Sequence, residues 1–251
     1  MKTVLILISG LFAFALPIVL AYFWSKKTKC NFVAYLVGAL CFVLFANTLE
    51  SLAHYYFLYI NPTTADALNT KPLLFGLYAG IMAGLFEETG RLFGFKVLLR
   101  KFKDKAVSVG YGIGHGGIEC VLTLGATYLM YSVVLLGGSL GDASADATAL
   151  TTINAIETSI IPFATLERIS ALILHISLSV LVFKAANTKK SFYLYIVAIL
   201  IHTIADIPAG LYQAGVITSI PLIEVLTLAI SLVTLYFAIK TYKSMEEKEN
   251  A

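Results

Sequence analysis

Apolar residues run along the chain in seven long stretches, at about 3–24, 32–58, 72–99, 106–136, 157–184, 191–210 and 219–240, and polar residues gather in the intervals between them. A helix needs about 20 mostly apolar residues to cross the hydrocarbon core of a bilayer, and a span with its loop takes roughly 30–35. The 251 residues therefore bound the count at six to eight spans. The pattern predicts an all-α, polytopic transmembrane helical bundle of about seven spans, with residues 1–251 forming a single integral membrane domain in the cell membrane. The first stretch follows Lys2 as a secretory signal would, but it is too long and ends in Tyr22-Phe23-Trp24 without a small-residue cleavage site. It reads as a retained span with an aromatic interfacial belt.

Composition sharpens this reading. The chain is 59% hydrophobic and 13% charged, against roughly 45–50% and 25% in a soluble domain, which excludes an ordinary soluble globule. Cys30, Cys41 and Cys120 are odd in number and lack CxxC spacing, so neither a disulfide framework nor a thiolate metal site is expected. The net charge of +3 is small. It bears on topology through its distribution, and the expected partner is membrane lipid, with no nucleic acid. Lys26, Lys27 and Lys29, then Arg100, Lys101, Lys103 and Lys105, then Lys184, Lys189 and Lys190, then Lys240, Lys243 and Lys248 place thirteen of the 18 basic residues in alternate loops. The opposite loops hold Lys71 with Asp66, Asp142 and Asp146, and Lys2 lies at the terminus. The positive-inside rule then predicts the N-terminus outside and the C-terminus in the cytoplasm. The longest outer loop, 137–152, is rich in Gly, Ser, Ala and Asp and reads as flexible.

With the loops set aside, ionisable residues remain inside the spans: Glu87, Glu88 and Arg91, then His115 and Glu119, then Glu167, Arg168 and His175, then His202 and Asp206. An ionised group near the bilayer centre costs about 2.5–3.5 kcal/mol on insertion scales, so such a set should pair internally and mark a functional site. Counted from the basic-loop end of each span, Glu88, His115, His175 and His202 all lie about 9–11 residues deep, or roughly 13–17 Å. Four helices of alternating direction thus deliver one carboxylate and three imidazoles to a common plane. Glu87 and Arg91, His115 and Glu119, and His202 and Asp206 are i,i+4 pairs on shared faces. A carboxylate one turn from a histidine can orient its ring. The glycines at 110, 112, 114, 116 and 117 permit close helix approach and weaken the helix around His115. A break there would free backbone amides for a substrate carbonyl.

Glu87-Glu88-Thr89-Gly90-Arg91, Gly112-Ile113-Gly114-His115-Gly116-Gly117-Ile118-Glu119, Glu167-Arg168 with His175, and His202-Thr203-Ile204-Ala205-Asp206 together resemble the YhfC family of intramembrane metalloproteases. That family is related to the CAAX prenyl endopeptidase and bacteriocin-processing group, to PrsW, and to the anterior-pharynx-defective subunit of gamma-secretase. The similarity runs over about 72–210. It implies that the paired-glutamate motif falls on Glu87 and Glu88 and the aromatic-x-x-x-His motif on Tyr111 and His115. The His-x-x-x-Asn/Asp motif matches either His175 with Ser179 or His202 with Asp206. Two features depart from the prenyl endopeptidases: only Thr89 and Gly90 separate the glutamate pair from Arg91, and Asp206 stands where asparagine is usual.

The expected function is an intramembrane endopeptidase acting on a peptide or membrane-protein substrate. Glu87, Glu88, His115, His175 and His202 are the expected catalytic residues, supported by Arg91, Glu119, Glu167 and Asp206. Glu87 is taken as the base, with Glu88 as its partner, and a cavity is expected to open toward the basic-loop end. Two mechanisms stay open. In one, His115, His175 and His202 hold Zn2+, which would activate a water; in the other the glutamate acts without a metal. Rival functions are a non-catalytic membrane scaffold and a proton-coupled transporter. Structural roles are open for the arginine–glutamate pairs and for His175. His54, among tyrosines, reads as an interfacial anchor, and Lys96 as snorkelling. Glu50, Glu157 and Glu224 are isolated and carry no assigned chemistry.

Overall fold

The computed structural model describes residues 1–246, so Lys248 lies outside the described residues. Nine helices and no strands are found among them: α1 (Lys2–Thr28), α2 (Phe32–Ile60), α3 (Pro62–Thr70), α4 (72–98), α5 (Ala106–Leu135), α6 (Ala143–Ala155), α7 (Ile161–Asn187), α8 (Tyr193–Gln213) and α9 (Ile220–Glu246). α1, α2, α5, α7, α8 and α9 are long and apolar enough to cross a membrane, and the protein is a multi-pass integral membrane protein. α4 matches them in length but carries Glu87, Glu88, Arg91 and Lys96.

Local chemistry sets the helix ends. α1 stops where Lys29 turns left-handed at φ 55° and returns its N–H to Ser25. Asn31 and Asn61 accept backbone N–H bonds as N-caps of α2 and α3, the position such residues favour. α3, α4 and α7 open with proline in the first turn, where no N–H is required. The loop expected to be flexible is partly ordered instead. Asp142 caps α6 by accepting from Ser144 N, and these bonds hold its carboxyl below the usual carboxylate range.

α7 is the central helix, with 72% of its apolar core segment buried against about a third in the other crossing helices. It packs on α5, α8 and α9, while α4 lies along α8 and α2 lies along α5. The outward faces carry Leu, Ile, Val and Phe, among them Ile18, Leu52, Leu200 and Val233, which suits an acyl-chain solvent. The glycine-rich stretch of α5 does not break the helix at His115; it stays α-helical through Cys120 before a π-helical turn at Val121–Gly125. Its glycines instead remove bulk from two interfaces. A Cβ at Gly114 would lie 2.0 Å from the Tyr35 carbonyl oxygen of α2, and one at Gly112 would lie 2.5 Å from Ile176 Cα of α7. Gly80 and Gly84 do the same for α4 against α8. Backbone contact at this range is available only to glycine, and small-residue interfaces of this kind drive helix association in lipid.

Gly114→Ala forces α2 and α5 apart beside His115. Overpacking of this kind costs about 1–3 kcal/mol, so the variant should show a thermal midpoint in detergent lowered by several degrees, measurable by tryptophan-independent thiol-reactivity melting at the buried cysteines.

Candidate active site in the bundle interior

The four helices bring their ionisable residues together as the depth count anticipated. Glu87, Glu88 and Arg91 of α4, His115 of α5, His175 of α7 and His202 of α8 are all buried, none more than 8% exposed. Glu88 and Arg91 form an ion pair one turn apart, and Glu88 Oε1 also meets His202 Nδ1 at 2.7 Å. Glu87 faces the other way. Its Oε2 lies 2.8 Å from His115 Nε2, 3.7 Å from His175 Nδ1 and 3.9 Å from His202 Nε2.

The partners of the imidazoles constrain their protonation, because a carboxylate only accepts hydrogen bonds. His202 Nδ1–H donates to Glu88, and its Nε2 faces two further acceptors, Glu87 Oε2 and, at 3.4 Å, Asp206 Oδ2, so that nitrogen must carry a second proton or give its lone pair to a cation. His175 Nε2 lies 2.5 Å from Glu119 Oε2 as an ion-pair contact, while its Nδ1 faces Glu87 and accepts an N–H from Arg91 Nη2 at 3.1 Å. Two imidazole nitrogens and a carboxylate oxygen therefore converge on one place. Their donor atoms lie within 4.8 Å of one another.

That donor set fits a metal ion. Two histidines and a glutamate are a known catalytic zinc set that leaves a position open, and each histidine has the outer carboxylate that fixes a metal-binding ring. The charge balance agrees: Glu87, Glu88, Glu119, Glu167 and Asp206 outnumber Arg91 and Arg168 by three. The grouping differs from the expected His115, His175 and His202. His115 is turned onto Glu87, and among the described residues its Nδ1 has no hydrogen-bond partner and it does not join the three-ligand group.

Other pairings changed partners across helix interfaces. Glu119 was placed with His115 by i,i+4 spacing, yet it holds His175 of α7 and accepts from Arg168 Nη1 at 2.7 Å. Arg91 pairs with Glu88 at i,i+3 rather than with Glu87. Of the two His-x-x-x matches, His202 touches Asp206, whereas Ser179 spends its hydroxyl on the His175 carbonyl oxygen at 2.7 Å. Arg168 is bound by Glu167 and Glu119 and donates to Thr123 at 2.9 Å. Thr123 was missed, although its position one turn beyond Glu119 is a readable signal. Glu50 is not isolated: it meets His54 Nε2 at 3.2 Å, and His54 Nδ1 meets Tyr78 Oη at 2.8 Å.

Two cavities reach Asp206. One, of about 560 Å³, lies among α2, α4 and α8 and is bordered by Glu50, His54 and Gln213. The other, of about 420 Å³, lies among α7, α8 and α9. Both are lined from the helix halves farther from the basic loops, opposite to the expected opening.

Residues 12–227, which include every member of this cluster, match the model of a family described as the YhfC intramembrane metalloproteases. The chain belongs to that family. It is 30% identical over 247 residues to a Bacillus subtilis (strain 168) protein named "Uncharacterized membrane protein YhfC", covering 94% of this chain and 95% of that one. No solved structure matches. The metalloprotease description agrees with a donor set read from the structure alone.

The Glu88–Arg91 pair, both side chains 0% exposed, gives a direct test of how this YhfC-family core is held. Arg91→Met strands a buried carboxylate and should lower unfolding stability by about 3–5 kcal/mol, whereas pairing it with Glu88→Gln should recover much of that loss. Denaturant unfolding in mixed micelles measures both.

Proposed function

We propose that this protein is an intramembrane endopeptidase that hydrolyses a peptide bond of a membrane-associated or membrane-embedded substrate by activating a water at Glu87. The observation that carries the reading is the convergence of Glu87 Oε2 with His175 Nδ1 and His202 Nε2, each ring held on its other nitrogen by a carboxylate. Amide hydrolysis needs a proton acceptor, an electrophilic partner for the carbonyl, and a site that excludes bulk water while admitting one molecule.

Glu87 is the acceptor because Glu88 is tied on one oxygen to both Arg91 and His202. His115 holds the Glu87 carboxylate in place at 2.8 Å. His175, His202 and Glu87 would hold a divalent cation, and zinc in such a site supplies a Lewis acid and a bound water with a pKa of about 7. The two oxygens of Glu87 allow cation binding and proton acceptance to be divided between them. Arg91 Nη2 donates to the same His175 Nδ1, so a cation bound there would take the place of that N–H. Asp206, 3.4 Å from His202 and bordering both cavities, stands where water and substrate would arrive. The basic loops are proposed to face the cytoplasm.

The purified protein should carry about one zinc per chain by elemental mass spectrometry. His175→Ala and His202→Ala should each cut that content at least tenfold, while His115→Ala should retain most of it. A metal content unaffected by His175→Ala and His202→Ala would rule the assignment out.

Glu87→Gln should lower turnover by roughly 10²–10⁴-fold. In cells, comparison of membrane proteomes should then reveal uncleaved precursors that are absent beside the unsubstituted protein. Full processing by a folded Glu87→Gln protein would overturn the protease reading.

A further inference from the structure

The 420 Å³ cavity among α7, α8 and α9 is built differently from the larger one beside it. Ile160, Ala164, Ile220 and Ile223 supply its apolar wall, Gln213 and Thr227 add neutral polar groups, and four charged groups border it: Glu167, Arg168, Asp206 and Glu224. Three of these are already engaged. Arg168 is bound by Glu167 and Glu119, and Asp206 faces His202. Glu224 differs: it is 6% exposed, and its Oε2 is buried without a hydrogen-bond partner among the described residues. A carboxylate oxygen left in apolar surroundings is costly unless a cation or donor reaches it.

The cavity also adjoins the chemistry. Asp206 alone links it to His202, and Arg168 and then Glu119 link it to His175, so it lies one side chain from one of the histidines facing Glu87 and two from the other. Arg168 contributes little net repulsion there because two carboxylates bind it. A partly apolar cavity bordered by an unsatisfied carboxylate matches a side chain with an aliphatic stem and a cationic head.

We propose that this cavity is a substrate-specificity pocket that receives a lysine or arginine side chain of the peptide, its stem against the isoleucines and its head on Glu224. The assignment rests on the protease reading above and names the substrate class for that site. Glu224 acts in binding, and it does not touch the reacting atoms.

The test separates the pocket from the chemistry. The probe is a fluorescent apolar nonapeptide with a central lysine, compared with the same peptide carrying norleucine, which keeps the stem and removes the charge. Binding is measured by fluorescence anisotropy to the Glu87→Gln protein in uncharged detergent. The lysine peptide should bind roughly 10–100-fold more tightly, the range expected for a charge-assisted hydrogen bond. Adding Glu224→Gln should bring that ratio close to one while leaving norleucine-peptide affinity unchanged. Equal affinity for the two peptides, or binding of neither, overturns the pocket, and so does a preference that survives Glu224→Gln. The first comparison changes only the peptide and does not depend on the Glu224 variant folding. Cleavage of either peptide by the unsubstituted protein is followed separately, so failure to cleave bears on the protease reading and failure to discriminate bears on the pocket.

Discussion

Everything in the core of this protein answers to the cost of holding ionised side chains in an apolar solvent. Each such group is expensive on its own, and the central cluster joins five carboxylates and two guanidiniums from four helices through ion pairs. None can be relieved by bulk water at Glu88 or Arg91, where exposure is nil. The side chains must therefore satisfy one another, and this forces α4, α5, α7 and α8 to present their polar positions to a common centre. The ion pairs are not a generous source of stability, since desolvation offsets much of their attraction. They act as a registry device: a helix that slipped by one residue would leave charge unpaired in lipid.

Such registry requires the helices to come close, and the glycines supply that closeness. Gly112 and Gly114 bring the α5 backbone against α7 and α2 on either side of His115. The ring of His115 is then fixed between Phe42 and Tyr111, with centroids at 5.2 and 6.0 Å. His115 can hold Glu87 in one orientation because its own ring has nowhere to turn. Small residues and buried charges are thus two halves of one arrangement, the first setting distance and the second setting register.

The sequence carried the spans, the common depth and the membership of the cluster, because helix rise and hydropathy depend on local periodicity alone. Pairing was less legible. Spacing put His115 and Glu119 on one face, and both do point inward, but Glu119 satisfies His175 across the interface and Glu87 satisfies His115. An i,i+4 rule cannot weigh a neighbour on its own helix against one on a helix packed through glycines at van der Waals limits. The metal grouping shifted for the same reason: His115 lies in the right plane yet is already engaged by Glu87, leaving His175, His202 and Glu87 to converge. Glu224 looked inert because α9 offers it no companion, and only the cavity among three helices gives it surroundings. The α6 cap at Asp142 was hidden by a composition typical of flexible loops.

Charge balance links these observations to the chemistry. With neutral imidazoles the cluster has three more negative than positive charges, and a divalent cation among Glu87, His175 and His202 would reduce that excess to one. Without the cation, the same requirement for compensation falls on protons, which would settle on His202 Nε2 or on Glu87, since His175 Nδ1 already accepts from Arg91. Cation binding and proton uptake at this centre are therefore competing solutions to one electrostatic problem, and metal affinity must depend on pH for that reason. Asp206 is the most exposed carboxylate of the set, at 36% of its side chain against 28% for Glu167, and it borders both cavities. Exchange of protons, water or a cation with the surroundings meets least burial there. Compensation within the buried cluster is thus partial, and its most hydrated carboxylate stands at the edge, beside both cavities.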